Sequence, residues 1–235
     1  MLELYRSLAE QAPPELTLVV LLRPAPPAPW LPEELHGKPI VGLLACYSGG
    51  VEEGEKAVAP IKSFGNPVGD VLVRRQYTQM QSLLDATQPK GRRYYWKSEY
   101  LSQVGPAFCE KLITQAARMR SPHSAIILFQ IGGALNQLEE SHSPVGNRNA
   151  RYVLNIAGSW EQTQEDEPNI GWARDAWMDL RSFSTGGTYV NFLTEDESQE
   201  RVEVALGKGL KRLTEVKTKW DPQNVFRTNR NIRPA

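Results

Sequence analysis

Cysteine and histidine are scarce in this 235-residue chain, and each scarcity removes a class of chemistry. The two cysteines, Cys46 and Cys109, stand far apart in apolar surroundings. That arrangement predicts buried free thiols in place of a disulfide, and with them a cytoplasmic location. His36, His123 and His142 show no ligand spacing, so no histidine-rich metal site is expected. Net charge is missing too. The 27 basic residues balance 27 acidic ones, which leaves no electrostatic basis for a nucleic-acid or anionic-membrane partner. The longest apolar run, Leu16 to Leu22, falls far short of the roughly 20 residues that a membrane span needs. Met1 to Leu4 does not open a basic stretch followed by an apolar one, so no secretory leader is predicted. There is no P-loop, no dinucleotide fingerprint and no G-x-S-x-G elbow. Alone, the chain offers no visible hydride acceptor.

What is present is ordinary globular material, 40% hydrophobic and 23% charged. Helical periodicity predicts helices over Leu2 to Gln11, Val51 to Phe64, Tyr77 to Asp85, Pro106 to Met119, Ile170 to Phe183 and Ser198 to Leu206. Runs of β-branched and aliphatic residues predict strands over Leu16 to Arg23, Ile40 to Tyr47, Ser124 to Gly132 (continuing through Gly133-Ala134), Tyr152 to Trp160 and Thr188 to Leu193. Arg92 to Lys97 reads as a strand whose consecutive aromatics, Tyr94, Tyr95 and Trp96, must occupy both faces. Five prolines between Pro24 and Pro32 make that stretch a surface loop. Gly49-Gly50 is read as a plain turn. The acidic runs Glu165 to Glu167 and Glu195 to Glu197 are read as solvated loops, the former within a connector from Gln162 to Pro168. Several connections are too short for parallel crossovers. The expected fold is therefore α+β, a mainly antiparallel sheet with helices on one face, in a single domain spanning 1–235.

The end of the chain is the most informative stretch. Leu213 to Pro234 reads LTEVKTKWDPQNVFRTNRNIRP, beginning as a helix with Leu213, Val216 and Trp220 on one side. Asp221-Pro222 ends that helix, because proline disfavours the helical region for the residue before it. Beyond it, Phe226 and Ile232 among asparagines suit docking onto a partner surface. The pattern W-D-P-x-N-V-F-R-x-N-x-N-I-x-P resembles the C-terminal signature of the berberine-bridge-enzyme-like family of FAD-linked oxidases. RRYYWKSEYL, FQIGGALNQL, NARYVLNIAGSW and GGTYVNFL resemble successive segments of that family's substrate domain, with 213–235 as its C-terminal segment.

The resemblance implies a sheet that covers a flavin held by another domain, and that other domain has no counterpart in the sequence. FAD is then expected only if a separate chain, or the rest of a longer protein, supplies the flavin domain. In that case the chain is the substrate-binding domain of an oxidoreductase acting on a small organic molecule. By the same resemblance Tyr189 is the candidate base and Asn191 a hydrogen-bond donor beside it. Tyr95, Lys97, Gln130, Arg148 and Phe192 are substrate-binding candidates, and Asn224, Asn229 and Asn231 form a tail facing the flavin domain. Each has a plainer reading: Tyr189 as a satisfied strand tyrosine, Arg148 as a brace for its loop. The sequence also departs from the family. Asn147 stands before Arg148 where histidine is usual, Phe192 stands where tyrosine is common, and Leu206, Gly209 and Leu210 replace two tyrosines and an asparagine. Those apolar replacements keep a second reading open. It is a flavin-free binding protein, or a non-redox cyclase, isomerase or lyase, that closes or homodimerises through the same face.

Overall fold

The computed structural model describes residues 1–228 and 230–235. Five strands make one sheet in the order β2-β1-β4-β5-β3: β1 (Leu16–Pro24), β2 (Pro39–Tyr47), β3 (Arg93–Leu101), β4 (Ala125–Gln130) and β5 (Tyr152–Trp160). Every neighbouring pair is antiparallel. The helices are α1 (Leu2–Gln11), α2 (Val51–Lys62), α3 (Tyr77–Gln81), α4 (Pro106–Ala116), α5 (Ala134–Gln137), α6 (Asp166–Leu180), α7 (Gln199–Leu206) and α8 (Gly209–Trp220). The expected α+β class, with helices on one face of an antiparallel sheet, is what the chain adopts. Among the described residues no helix is long and apolar enough to cross a membrane.

Strand alternation builds the core. Leu16, Leu18, Val20 and Leu22 share one face of β1 with Ile126 and Leu128 of β4 and with Tyr152, Leu154 and Ile156 of β5. Against them pack Tyr5 of α1, Phe108 and Leu112 of α4, and Trp172, Ala173 and Ala176 of α6. Two aromatic polar tips in this layer are satisfied: the Tyr5 hydroxyl donates to the Leu128 carbonyl at 3.1 Å and the Trp172 indole to that of Gln115 at 3.0 Å. β5 lies between β4 and β3 and is buried at every position, so its second face is covered as well. That cover is irregular chain, from the segments before β5 and after α6.

Several expectations needed correction. Thr188 to Leu193 is not a strand. Gly186 and Gly187 take positive φ values of 88° and 84°, turning the chain so that only Thr185 and Gly187 pair with Tyr100. The next outward carbonyl of β3, that of Ser98, already accepts from the Arg201 guanidinium at 3.0 Å. With no free edge to follow, the segment closes on itself, Phe192 N–H donating to the Tyr189 carbonyl at 2.9 Å. Gly133-Ala134 does not extend β4, because Gly133 at φ 57° ends it and one turn of helix follows. The acidic connector belongs largely to α6, which starts at Asp166; carboxylates favour a helix N-terminus, and Pro168 is tolerated in the first turn.

The final helix is also oriented differently. Val216 and Trp220 are exposed, and the half-buried side is Leu213, Thr214, Lys217 and Thr218, so of the expected apolar side only Leu213 turns inward. Phe226, expected to be an anchor, is 81% exposed. The chain after α8 is nevertheless held, since the Asp221 carboxylate accepts from the Val225 N–H at 2.7 Å and the Phe226 N–H at 3.0 Å.

Candidate functional site

The face of the sheet that the helices leave free carries aromatic and polar side chains in ordered rows. Register places Phe129, Val153 and Tyr100 in one row across β4, β5 and β3. Ile127, Asn155 and Ser98 form the next row, and Ala125, Ala157 and Trp96 the one after. The Phe192 ring lies 6.0 Å from that of Phe129 and 5.7 Å from that of Trp96, which are in the first and third rows. It therefore sits over the middle row, above Asn155. Tyr189 packs edge-on to Phe192 at 5.3 Å, and its hydroxyl accepts from Asn191 Nδ2 at 2.9 Å. The Thr188 hydroxyl donates to Ser98 Oγ at 2.9 Å and pins the segment to β3.

This face holds unmet hydrogen-bonding capacity. Asn155 is only 2% exposed, yet its Oδ1 has no partner among the described residues. The same holds for the buried Nε1 of Trp96. Buried polar groups without partners cost about 1–3 kcal/mol each, so they mark places where a ligand or water completes the structure. The buried Tyr100 phenol is pushed up to about 12, chiefly by burial and further by Tyr189, while the Arg148 charge pulls it down. An acceptor, a donor and two phenols thus line an apolar wall.

Of the sequence candidates, Tyr189, Asn191 and Phe192 are together here. Tyr95 and Lys97 are not, because odd positions of β3 point to the helix-covered side. There Lys97, with a side chain 5% exposed, pairs with Glu197 at 2.8 Å and Asp196 at 3.2 Å. The Tyr95 hydroxyl donates to Asp196 at 2.6 Å and accepts from Arg174 at 2.9 Å. Arg201 joins Glu197 at 2.7 Å and the buried Glu99 at 2.8 Å, and Trp177 donates its indole N–H to Glu99. Burial raises the Asp196 carboxyl, but hydrogen bonds from Tyr95, Thr194, Arg174 and Lys97 outweigh it and hold the group well below the carboxylate range. Burial lowers the Lys97 ammonium, but the hydrogen bond and charge of Glu197 together with Tyr95 and Asp196 outweigh it and raise the group. The Glu195 to Glu197 run is thus no solvated loop: it ties the start of α7 to β3 and α6. A groove of about 760 Å³ opens beside this network and is lined by Trp177, Met178 and Val204 among charged side chains. Its charges are largely paired already, so it offers a ligand less than the aromatic face does.

Gln130 also faces the helices, accepting from Leu18 N–H at 2.9 Å and donating to the Ala9 carbonyl at 3.4 Å. Arg148 is buried at the end of the aromatic face, donating to the Leu135 carbonyl at 3.0 Å and Ser143 Oγ at 2.5 Å. In the tail, Asn224 and Asn231 each keep a buried Oδ1 without a partner, and Asn229 lies outside the described residues. Leu206 is buried and Leu210 half-buried where α7 meets α8, so neither presents a free apolar patch. Gly209 has a steric reason: a Cβ there would lie 2.6 Å from Pro144 Cα.

Sequence reading missed Trp96, Tyr100 and Asn155. Asn155 carried a usable signal as the lone amide in an otherwise apolar strand.

Comparison with known proteins agrees with this architecture. The model of the family described as berberine and berberine-like matches residues 188–233. An FAD-linked oxidoreductase of Dictyostelium discoideum is 32% identical over 197 residues, covering 83% of this chain and 42% of that protein. A tetrahydroberberine oxidase of Berberis wilsoniae is 26% identical over 175 residues, covering 65% of this chain and 32% of that protein. Berberine bridge enzyme from Eschscholzia californica superposes with a TM-score of 0.78 at 16% identity, over 100% of this chain and 52% of its own. The chain thus spans less than half the length of these two curated relatives.

Proposed function

We propose that this chain, which belongs to the berberine-bridge-like family of FAD-linked oxidoreductases, forms the substrate-side wall of such an oxidoreductase and acts on a small organic molecule. The observation that carries this reading is the helix-free face of the sheet, where Phe192 and Trp96 enclose the unpartnered Asn155 amide. An apolar wall with a few convergent polar groups is the usual chemistry of a small-molecule site.

The fit of these residues to a flavin is partial, and it identifies their role. Nothing on the face resembles a cradle for a diphosphate, whereas the flat aromatic rings suit the ring system and a substrate between. When bound, the flavin supplies the hydride acceptor. The chain's own part is to hold and orient the substrate and to exclude water. Asn155 Oδ1 and Trp96 Nε1 would fix a polar group of the substrate by accepting from it and donating to it. Tyr189 would serve as the base toward a substrate hydroxyl or carbon acid, with its oxygen held in place by the hydrogen bond it accepts from Asn191 Nδ2.

The flavin-binding part belongs to the same polypeptide or to another, and the exposed Trp220, Val225 and Phe226 supply the surface that meets it. A cytoplasmic location is part of the proposal, supported by the unpaired Cys46 and Cys109. The test is a nuclear magnetic resonance titration with lumiflavin, a ring system without phosphates. Shifts at Trp96, Tyr189 and Phe192 are expected. Shifts confined to the groove beside Trp177, or none, would sink the reading.

A further inference from the structure

Arg148 is 5% exposed and makes no ion pair among the described residues. Its two hydrogen bonds go to a carbonyl and a hydroxyl, which orient the guanidinium without neutralising it. Its Nε is buried and has no partner among the described residues. A buried, unpaired cation costs several kcal/mol unless an anion completes it. Lys97, buried to a similar degree, has its carboxylates, and so does the half-buried Arg201. Arg148 differs from them in where it sits. It stands two residues before Ala150, which is buried against Tyr100 and Val153 on the aromatic face, with Tyr189 packed on the same cluster. Its charge acts on the Tyr100 phenol accordingly.

From this cluster we infer that the site takes a substrate bearing a carboxylate, which docks at the Tyr100 end of the aromatic face with Arg148 as its counter-charge and the Tyr100 hydroxyl as a donor. The inference rests on the aromatic face being the substrate site and adds the chemical class of what enters it. Geometry supports the match. A guanidinium already held by two neutral acceptors is fixed in orientation, and a planar fork suits a carboxylate. The aromatic rows leading away from Tyr100 to Phe192 and Trp96 would take the flat, apolar remainder of such a molecule.

The test compares two probes of nearly equal shape on the unaltered chain, trans-cinnamate and the neutral cinnamamide, read from resonance shifts of Tyr189 and Phe192. Cinnamate is expected to bind about tenfold or more tightly, the effect of one charge-assisted hydrogen bond. Arg148→Gln should abolish that preference and leave cinnamamide unchanged. Since Arg148 also braces its loop, Tyr100→Phe serves as a second variant that keeps the ring and its packing. It should weaken cinnamate selectively. Equal affinity for acid and amide would overturn the carboxylate inference while leaving the aromatic face as the site. Failure of both probes to shift Tyr189 and Phe192 would overturn the site as well.

Discussion

The two faces of one sheet are finished to different standards. On the helix-covered face the aromatic and charged tips find partners: Tyr5 on Leu128, Trp172 on Gln115, Lys97 between Asp196 and Glu197, and the amides of Gln115 and Asn169 each keep one oxygen unpartnered among the described residues. On the other face an amide, an indole and a guanidinium, those of Asn155, Trp96 and Arg148, keep buried atoms with no partner among the described residues. The first face is built for stability and the second forgoes some of it, which is how a binding surface differs from a core.

Substitutions should separate the two. Lys97→Met removes one of the two cations paired with the buried Glu197 and leaves Arg201 shared between Glu197 and Glu99, and should cost about 3 kcal/mol in urea unfolding. An effect below that of an ordinary surface change would break the contrast. Leu154→Ala, fully buried on the same face, should lose about 2–5 kcal/mol. Asn155→Leu goes the other way. Replacing an unsatisfied amide with an apolar group should leave stability unchanged or raise it by about 1 kcal/mol, while lumiflavin shifts vanish. A large loss of stability would mean that Asn155 belongs with the core. Asp196→Asn probes the network through pH. Its folded carboxyl is depressed, so the wild type's stabilisation is present above the ordinary aspartate value of about 3.9 and is lost as pH falls through the folded value. The gap between wild type and variant should therefore hold at pH 7 and close in acid, as calorimetry across that range would show. Smallest of all, Phe226→Ser should stay within about 0.5 kcal/mol in the isolated chain, because the ring is exposed. Its effect should appear only on association with a flavin-binding partner.

Much of the fold was legible because the core strands announce themselves. Leu16 to Leu22 alternates its burial, and β5 is apolar nearly throughout. The tail motif was legible as family resemblance. Face assignment was not. Arg92 to Lys97 has aromatics at successive positions, so nothing local said whether Tyr95 or Trp96 would meet the helices. The answer depended on pairing with β5 and on α6 presenting Arg174 and Trp177. Thr188 to Leu193 has strand composition, but its edge was denied by Arg201, which lies eight residues beyond it in another element. Asp196 and Glu197 look solvated in isolation and are drawn inward by cations from β3 and α7. Phe192 was a candidate from the sequence, yet its position over Asn155 emerged only from the register of three strands.

The Asp221 carboxylate, by holding the amides of Val225 and Phe226, works on the tail as cyclisation works on a peptide ligand. It removes conformations from the free state, before any partner arrives. A tail dangling from α8 would lose that freedom on docking, at a cost of about 0.5–1.5 kcal/mol for each side chain immobilised. Here part of the loss has occurred during folding. Tail docking should then be limited by encounter and surface fit more than by a search for the binding shape, and Asp221→Ala should weaken docking without removing a single contact.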